Sequence, residues 1–175
     1  MKRLICTIFL LVLGLGALAQ TRIPQLDRAR NQRVSFHYVY SLSKDGGDYT
    51  PVTEGDVVVE EDAYRLSGLG MEVVCDGHTR WSGDASAREM IIETIDRSSV
   101  LDNPGLLVTG SRDYADVLHV QSGSDTTLDV VLDVDEDVRA RFVLTGITYT
   151  EKQGKSGFSV DEKSLSKDYV ITDLR

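Results

Sequence analysis

The 175-residue sequence predicts a mainly β fold: a single antiparallel sheet, curled into an incomplete barrel, with a short helical lid. Three observations predict it. Apolar and polar residues alternate with period two through most of the chain from residue 33 onward. Turn signals built from Asp, Gly, Asn and Pro separate those runs at short intervals. No long amphipathic helix pattern follows residue 34.

The elements follow in order. Pro24 limits residues 20–33 to one short helix. Val34, Phe36, Tyr38, Tyr40 and Leu42 alternate with Ser35, His37, Val39 and Ser41, a strand of about ten residues with one apolar face. Asp45-Gly46-Gly47 makes a turn. A second strand covers 53–61 around Val57-Val58-Val59, and a short third covers 63–67 with Tyr64 and Leu66 on one face. Met71, Val73 and Cys75 share a face of the next strand, and Asp76-Gly77 predicts a two-residue hairpin turn leading to Thr79 and Trp81. Met90, Ile92 and Thr94 lie on one side of a strand over 89–96. Asn103-Pro104-Gly105 breaks the pattern, so 106–114 reads as a short helix or lid segment. Strands resume at 116–121, 127–134 and 138–145, the last two joined by a hairpin at Asp135-Glu136-Asp137. Residues 152–157 read as a flexible loop and 169–173 as a final extended segment. Runs such as Val57-Val58-Val59 and Ile91-Ile92 put apolar groups on both faces, which predicts a sheet whose outer side is partly covered.

Residues 1–19 read as a secretory signal peptide: a basic head at Lys2-Arg3, an uncharged apolar run, and Ala17-Leu18-Ala19 as the cleavage site, with cleavage after Ala19. The run falls short of the roughly 20 residues that span a bilayer. Cys6 stands at its beginning, where lipidation would need a Cys at its end. The expected product is one domain over 20–175 in the periplasm. Its only cysteine is Cys75, so no internal disulfide forms. The net charge of −9 becomes −11 once Lys2 and Arg3 leave. That acidity argues against nucleic acid as a partner.

No hydrolase elbow, zincin, C-x-x-C or phosphate-loop motif occurs. Asp133, Asp135 and Asp137 mimic a calcium loop, yet its sixth and twelfth positions are Val138 and Leu144. Neither an enzyme, a metal nor a cofactor is expected. Phe36, Tyr38, Tyr64, Leu66, Met71, Val73, Trp81, Met90, Ile92 and Phe142 remain as a set of large apolar residues on strand faces. They form either an ordinary core or the lining of an apolar cavity.

The order of motifs over 53–107 favours the cavity. A strand at 55–60 precedes Tyr64-Arg65-Leu66, then Glu72-Val73-Val74-Cys75-Asp76-Gly77, Thr79-Arg80-Trp81, the strand at 90–95, and Pro104-Gly105-Leu106-Leu107. Phe158-Ser159-Val160-Asp161 and 169–175 close the chain. This order resembles the outer-membrane lipoprotein carrier (LolA-like) family, of which the chain looks like a divergent member over 33–175. The resemblance implies an unclosed barrel whose interior holds the acyl chains of lipoproteins or a related lipid. An inner-membrane exporter would hand the cargo over and an outer-membrane acceptor would receive it, with the carrier a monomer. By position it implies Tyr64, Leu66, Met71, Val73, Trp81, Met90 and Ile92 as lining residues and Leu106 and Leu107 on the lid. Family members carry an Arg near the end of the second strand that holds the lid. This chain reads Glu60-Glu61-Asp62 there, with Arg65 the nearest base. A lipid-binding sensor of envelope stress on the same scaffold is the alternative.

Overall fold

The computed structural model describes residues 23–68, 70–95, 118–165 and 169–175. Within them a four-residue helix, Pro24–Asp27, runs into a 3-10 turn at Arg28–Arg30, with Pro24 at the first helical position, where its missing N–H is not needed. Ten strands follow: β1 Arg33–Lys44, β2 Thr50–Glu60, β3 Ala63–Gly68, β4 Met71–Cys75, β5 Thr79–Asp84, β6 Glu89–Thr94, β7 Leu118–Gly123, β8 Thr127–Asp133, β9 Val138–Thr150 and β10 Val170–Asp173. They form one sheet in the order β10-β6-β5-β4-β3-β2-β1-β9-β8-β7, curled and not closed into a barrel. The signal segment 1–19 and the lid segment 106–114 lie outside the described residues, as do Leu106 and Leu107.

Every pairing is antiparallel except one. β10 lies parallel to β6, with Val170 opposite Glu89 and Asp173 opposite Ile92. A parallel neighbour needs a long crossover. The segment from β9 back to β6 supplies it along the outer face of the sheet.

β1 lies between β2 and β9, and its alternation buries one face. Val34, Phe36 and Tyr38 are buried, and Val59, Val57 and Gly55 of β2 stand opposite them. Gly55 is required there: a Cβ on it would stand 1.7 Å from the Ser67 carbonyl oxygen. The Tyr38 hydroxyl donates to that same carbonyl at 3.1 Å. A bulge curves the sheet where β9 opposes β1. Ser35 faces Thr148 and His37 faces Thr145, so two residues of β9, Gly146 and Ile147, oppose Phe36 alone. Gly146 takes φ 62°, a conformation that favours glycine. The extra residue explains why Leu144 and Ile147, three apart in sequence, both reach the inner cluster.

Two apolar clusters sit on opposite faces. The inner one gathers Val34, Phe36, Tyr38, Val57, Val59, Tyr64, Leu66, Cys75, Leu128, Val130, Leu132, Phe142 and Leu144, with Ile23 and Ala29 of the N-terminal segment laid against them. The rings of Tyr40 and Phe142 stack beside it, centroids 4.7 Å apart. The outer cluster is smaller: Ala63, Val74, Trp81, Met90, Ile92 and Phe158, with Val58, Val160, Leu165 and Tyr169 packed against it.

Two sequence expectations are corrected here. Residues 152–157 are pinned rather than a flexible loop. The buried carboxylate of Glu60 accepts the backbone N–H of Gln153 at 3.1 Å and of Gly154 at 2.9 Å, Lys152 pairs with Glu61, and a 3-10 turn forms over Lys155–Gly157. The β4–β5 turn is also shifted by one residue from Asp76-Gly77: the Asp76 N–H donates to the Thr79 carbonyl at 3.2 Å, which leaves Gly77-His78 between them. Ladder pairing begins at Cys75 with Arg80, and the Asp76 carboxylate accepts the N–H groups of His78 and Thr79, both at 2.8 Å. Those side-chain bonds brace the turn.

Candidate functional site

The structure does not bring the expected lining residues together. Phe36, Tyr38, Tyr64, Leu66 and Phe142 belong to the inner cluster, and Val73 packs against it. Trp81, Met90 and Ile92 belong to the outer one. Register is the reason. Val74 pairs with Trp81, and Trp81 pairs with Ile92, so these three share a side. Tyr64 pairs with Cys75 and Leu66 with Val73, which share the other. Adjacent residues of one strand point opposite ways, so Val73 and Val74 separate the two sets.

An apolar pocket of about 490 Å³ lies on the outer side. Sheet residues Met71, Val74, Trp81, Gly83 and Met90 line its floor, and Val160, Leu165 and Tyr169 line it from the returning C-terminal segment. Met71, at the start of β4 and 37% exposed, reaches it from the strand end. Gly83 gives Met90 room: a Cβ there would stand 3.0 Å from the Met90 Cε. The pocket falls within the roughly 300–1,000 Å³ usual for small-molecule sites. Its two thioethers are unbranched and adapt to irregular ligands.

The C-terminal residues 158–165 and 169–175 form a strap across this pocket. Phe158 is fully buried in the outer cluster, and the Arg33 guanidinium carbon lies 4.9 Å from its ring centroid. The Arg33 side chain also approaches Glu60, at 3.7 Å. Arg65 donates to the Gly157 carbonyl at 3.1 Å and to Glu72 at 2.9 Å. Arg65, the base nearest Glu60-Glu61-Asp62 in sequence, therefore holds the start of the C-terminal segment on the outer face. The Trp81 indole N–H donates to Glu162 at 3.0 Å, and Arg175 bridges Glu162 at 3.2 Å and Asp173 at 2.7 Å. The Asp173 carboxyl is held down to about 2, chiefly by its hydrogen bonds from Arg175. β10 then seals the edge of β6 through Val170 N–H to the Arg88 carbonyl and Leu174 N–H to the Ile92 carbonyl.

Other titratable groups are structural. Cys75 is buried, its sulfur accepts the Gly77 N–H at 3.3 Å, and burial pushes the thiol up to about 11. Such a thiol is a small hydrophobe rather than a nucleophile. On the inner side Arg80 pairs with Glu93 at 2.8 Å. Asp133 pairs with Arg139 and His119, and the His119 hydrogen bond leads in lowering its carboxyl. Among the described residues no group of three or more His, Cys, Asp or Glu is placed to hold a metal ion.

Val74, Val160, Leu165 and Tyr169 escaped the sequence reading. Val74 was legible as the other half of a two-faced apolar run, but nothing local in the strap sequence marks where it docks.

The fold and the pocket define an open β half-barrel with an apolar, strap-covered site on its outer face. No family model matches the chain, and no curated protein matches it. Among solved structures it is similar to an uncharacterized conserved protein from Thermus thermophilus, with a TM-score of 0.45 and 8% identity over 86% of this chain and 95% of that one.

Proposed function

We propose that the protein is an exported carrier that shelters one hydrocarbon chain of a lipoprotein or related lipid and moves it through the periplasm towards the outer membrane. The observation that carries this reading is the outer pocket, whose lining is mostly apolar and includes Met71, Trp81 and Met90. The A-x-A signal at Ala17-Leu18-Ala19 and the motif order shared with outer-membrane lipoprotein carriers support the export and transport parts. The partners would be an exporter in the inner membrane and an acceptor in the outer one.

The energetics suit a carrier. Burying a methylene is worth roughly 0.8 kcal/mol, so a 16-carbon chain brings about 12 kcal/mol of gross transfer energy. A carrier needs only part of that, because the acceptor must win the cargo. A pocket open to solvent on one side, under a strap anchored by Phe158 and a few polar bonds, gives partial burial and a route of release. The acidic surface disfavours lingering on anionic membranes.

The test is a chain-length series on the mature protein, read by the emission of Trp81, the only tryptophan. Neutral single-chain lipids should bind saturably, each added methylene tightening binding about fourfold until the pocket is full. Met90→Glu should abolish the response with the fold retained. Absence of any saturable response, or affinity independent of chain length, would refute the carrier.

A further inference from the structure

The charge of the pocket is one-sided. Among the described lining residues Glu72 alone is charged, and Ser67 and Tyr169 add hydroxyl groups. The cation beside Glu72 is Arg65, which is engaged twice, by Glu72 Oε1 and by the Gly157 carbonyl oxygen. The other oxygen of Glu72 is left to accept from a ligand, since a carboxylate only accepts hydrogen bonds. The Trp81 N–H, one of the lining donors, is spent on Glu162, another carboxylate.

Resting on the proposed carrier reading, we infer that this pocket selects its cargo by headgroup: it takes a single-chain lipid whose head is uncharged and carries donor hydrogens, such as hydroxyl or amide groups, and disfavours an anionic head. A glycerol hydroxyl or an amide N–H donates to the second oxygen of Glu72 and leaves the Arg65–Glu72 pair intact. A carboxylate or phosphate brings no donor of that kind. It faces the Glu72 carboxylate, and to pair with Arg65 it must pull that guanidinium from its two acceptors, which loosens the strap. An acylated polypeptide end, with its amide and ester head, belongs to the favoured class. A free fatty acid does not.

The experiment compares two lipids with the same twelve-carbon chain, 1-lauroylglycerol and laurate, at pH 8 and low salt, below their aggregation concentrations, with Trp81 emission as the readout. The glycerol ester should bind about threefold to tenfold more tightly, the range expected for one partly screened like-charge contact. The preference should shrink at high salt. Glu72→Gln should reduce or reverse it, because Arg65 then loses its carboxylate. Arg65→Gln should widen it. Both substitutions lie on exposed side chains, and any loosening of the strap affects the two lipids alike, so the ratio isolates the headgroup. Equal or tighter binding of laurate, or a ratio that neither variant moves, overturns the headgroup selection while leaving the pocket standing. A failure of both lipids to change Trp81 emission overturns the pocket and this inference together.

Discussion

Replacing Phe158 by alanine should detach the strap while the sheet stays folded. Phe158 is fully buried against the outer cluster of Ala63, Val74, Trp81, Met90 and Ile92, and the Arg33 guanidinium covers its ring. Truncating a buried Phe costs about 3–5 kcal/mol, and the cation–π contact accounts for about 1 kcal/mol more. Loss of about 5 kcal/mol from a segment otherwise held by polar bonds and by the half-buried Val160, Leu165 and Tyr169 raises its open population several thousandfold. Hydrogen exchange reads this directly. The amides of Val170 and Leu174, which donate to the carbonyls of Arg88 and Ile92 at 2.9 and 2.8 Å, should lose protection by about that factor. The β1–β9 amides, on the far side of the sheet centre, should keep theirs. Unchanged protection in β10, or an equal loss in β1 and β9, would refute the view of the strap as a separately docked layer.

Three further outcomes follow from the packing. Glu60→Ala strips the acceptor from the N–H groups of Gln153 and Gly154 and leaves Arg33 unpaired, so urea denaturation should show a loss of about 3 kcal/mol. Glu60→Gln, which keeps an acceptor, should recover part of it. Gly55→Ala pushes a methyl group into the Ser67 carbonyl and should destabilise by roughly 2–3 kcal/mol, the range for overpacking against backbone; an unaltered midpoint would show that β2 and β3 do not approach as described. Cys75 has its thiol raised from 9.0 to about 11, so the folded state disfavours the thiolate. Stability from this group is complete below pH 9 and is lost between pH 9 and 11, about 3 kcal/mol in all. The difference between wild type and Cys75→Ala in urea midpoint should narrow over that window. Iodoacetamide at pH 8 should label Cys75 only after unfolding.

The strands were legible because their signal is local. Alternation such as Val34-Ser35-Phe36-His37-Tyr38 marks a strand, and the described strands start near their expected places, although β9 runs on to Thr150 where the sequence predicts an end at 145. The faces were legible in principle. Any antiparallel hairpin that closes at Asp76-Gly77 with an even-numbered loop pairs odd residues with even ones, so Trp81 must share a side with Val74 and not with Val73. A single lining that joins Trp81, Met90 and Ile92 with Tyr64, Leu66 and Val73 is incompatible with that parity. The strap was not legible. Glu60-Glu61-Asp62 looks like a solvated turn, and only the return of Gln153 and Gly154 from far along the chain makes Glu60 a buried anchor. The parallel pairing of β10 rests on the same long-range return, which no short sequence window encodes.

Photolabelling decides most directly which face carries the cargo. A twelve-carbon monoacylglycerol bearing a diazirine on its chain, crosslinked to the mature protein and mapped by mass spectrometry, should mark Met71, Trp81, Met90, Leu165 or Tyr169. Adducts confined to Phe36, Tyr38, Tyr64, Leu66 and Phe142 would put the chain inside the curl of the sheet and contradict the outer pocket.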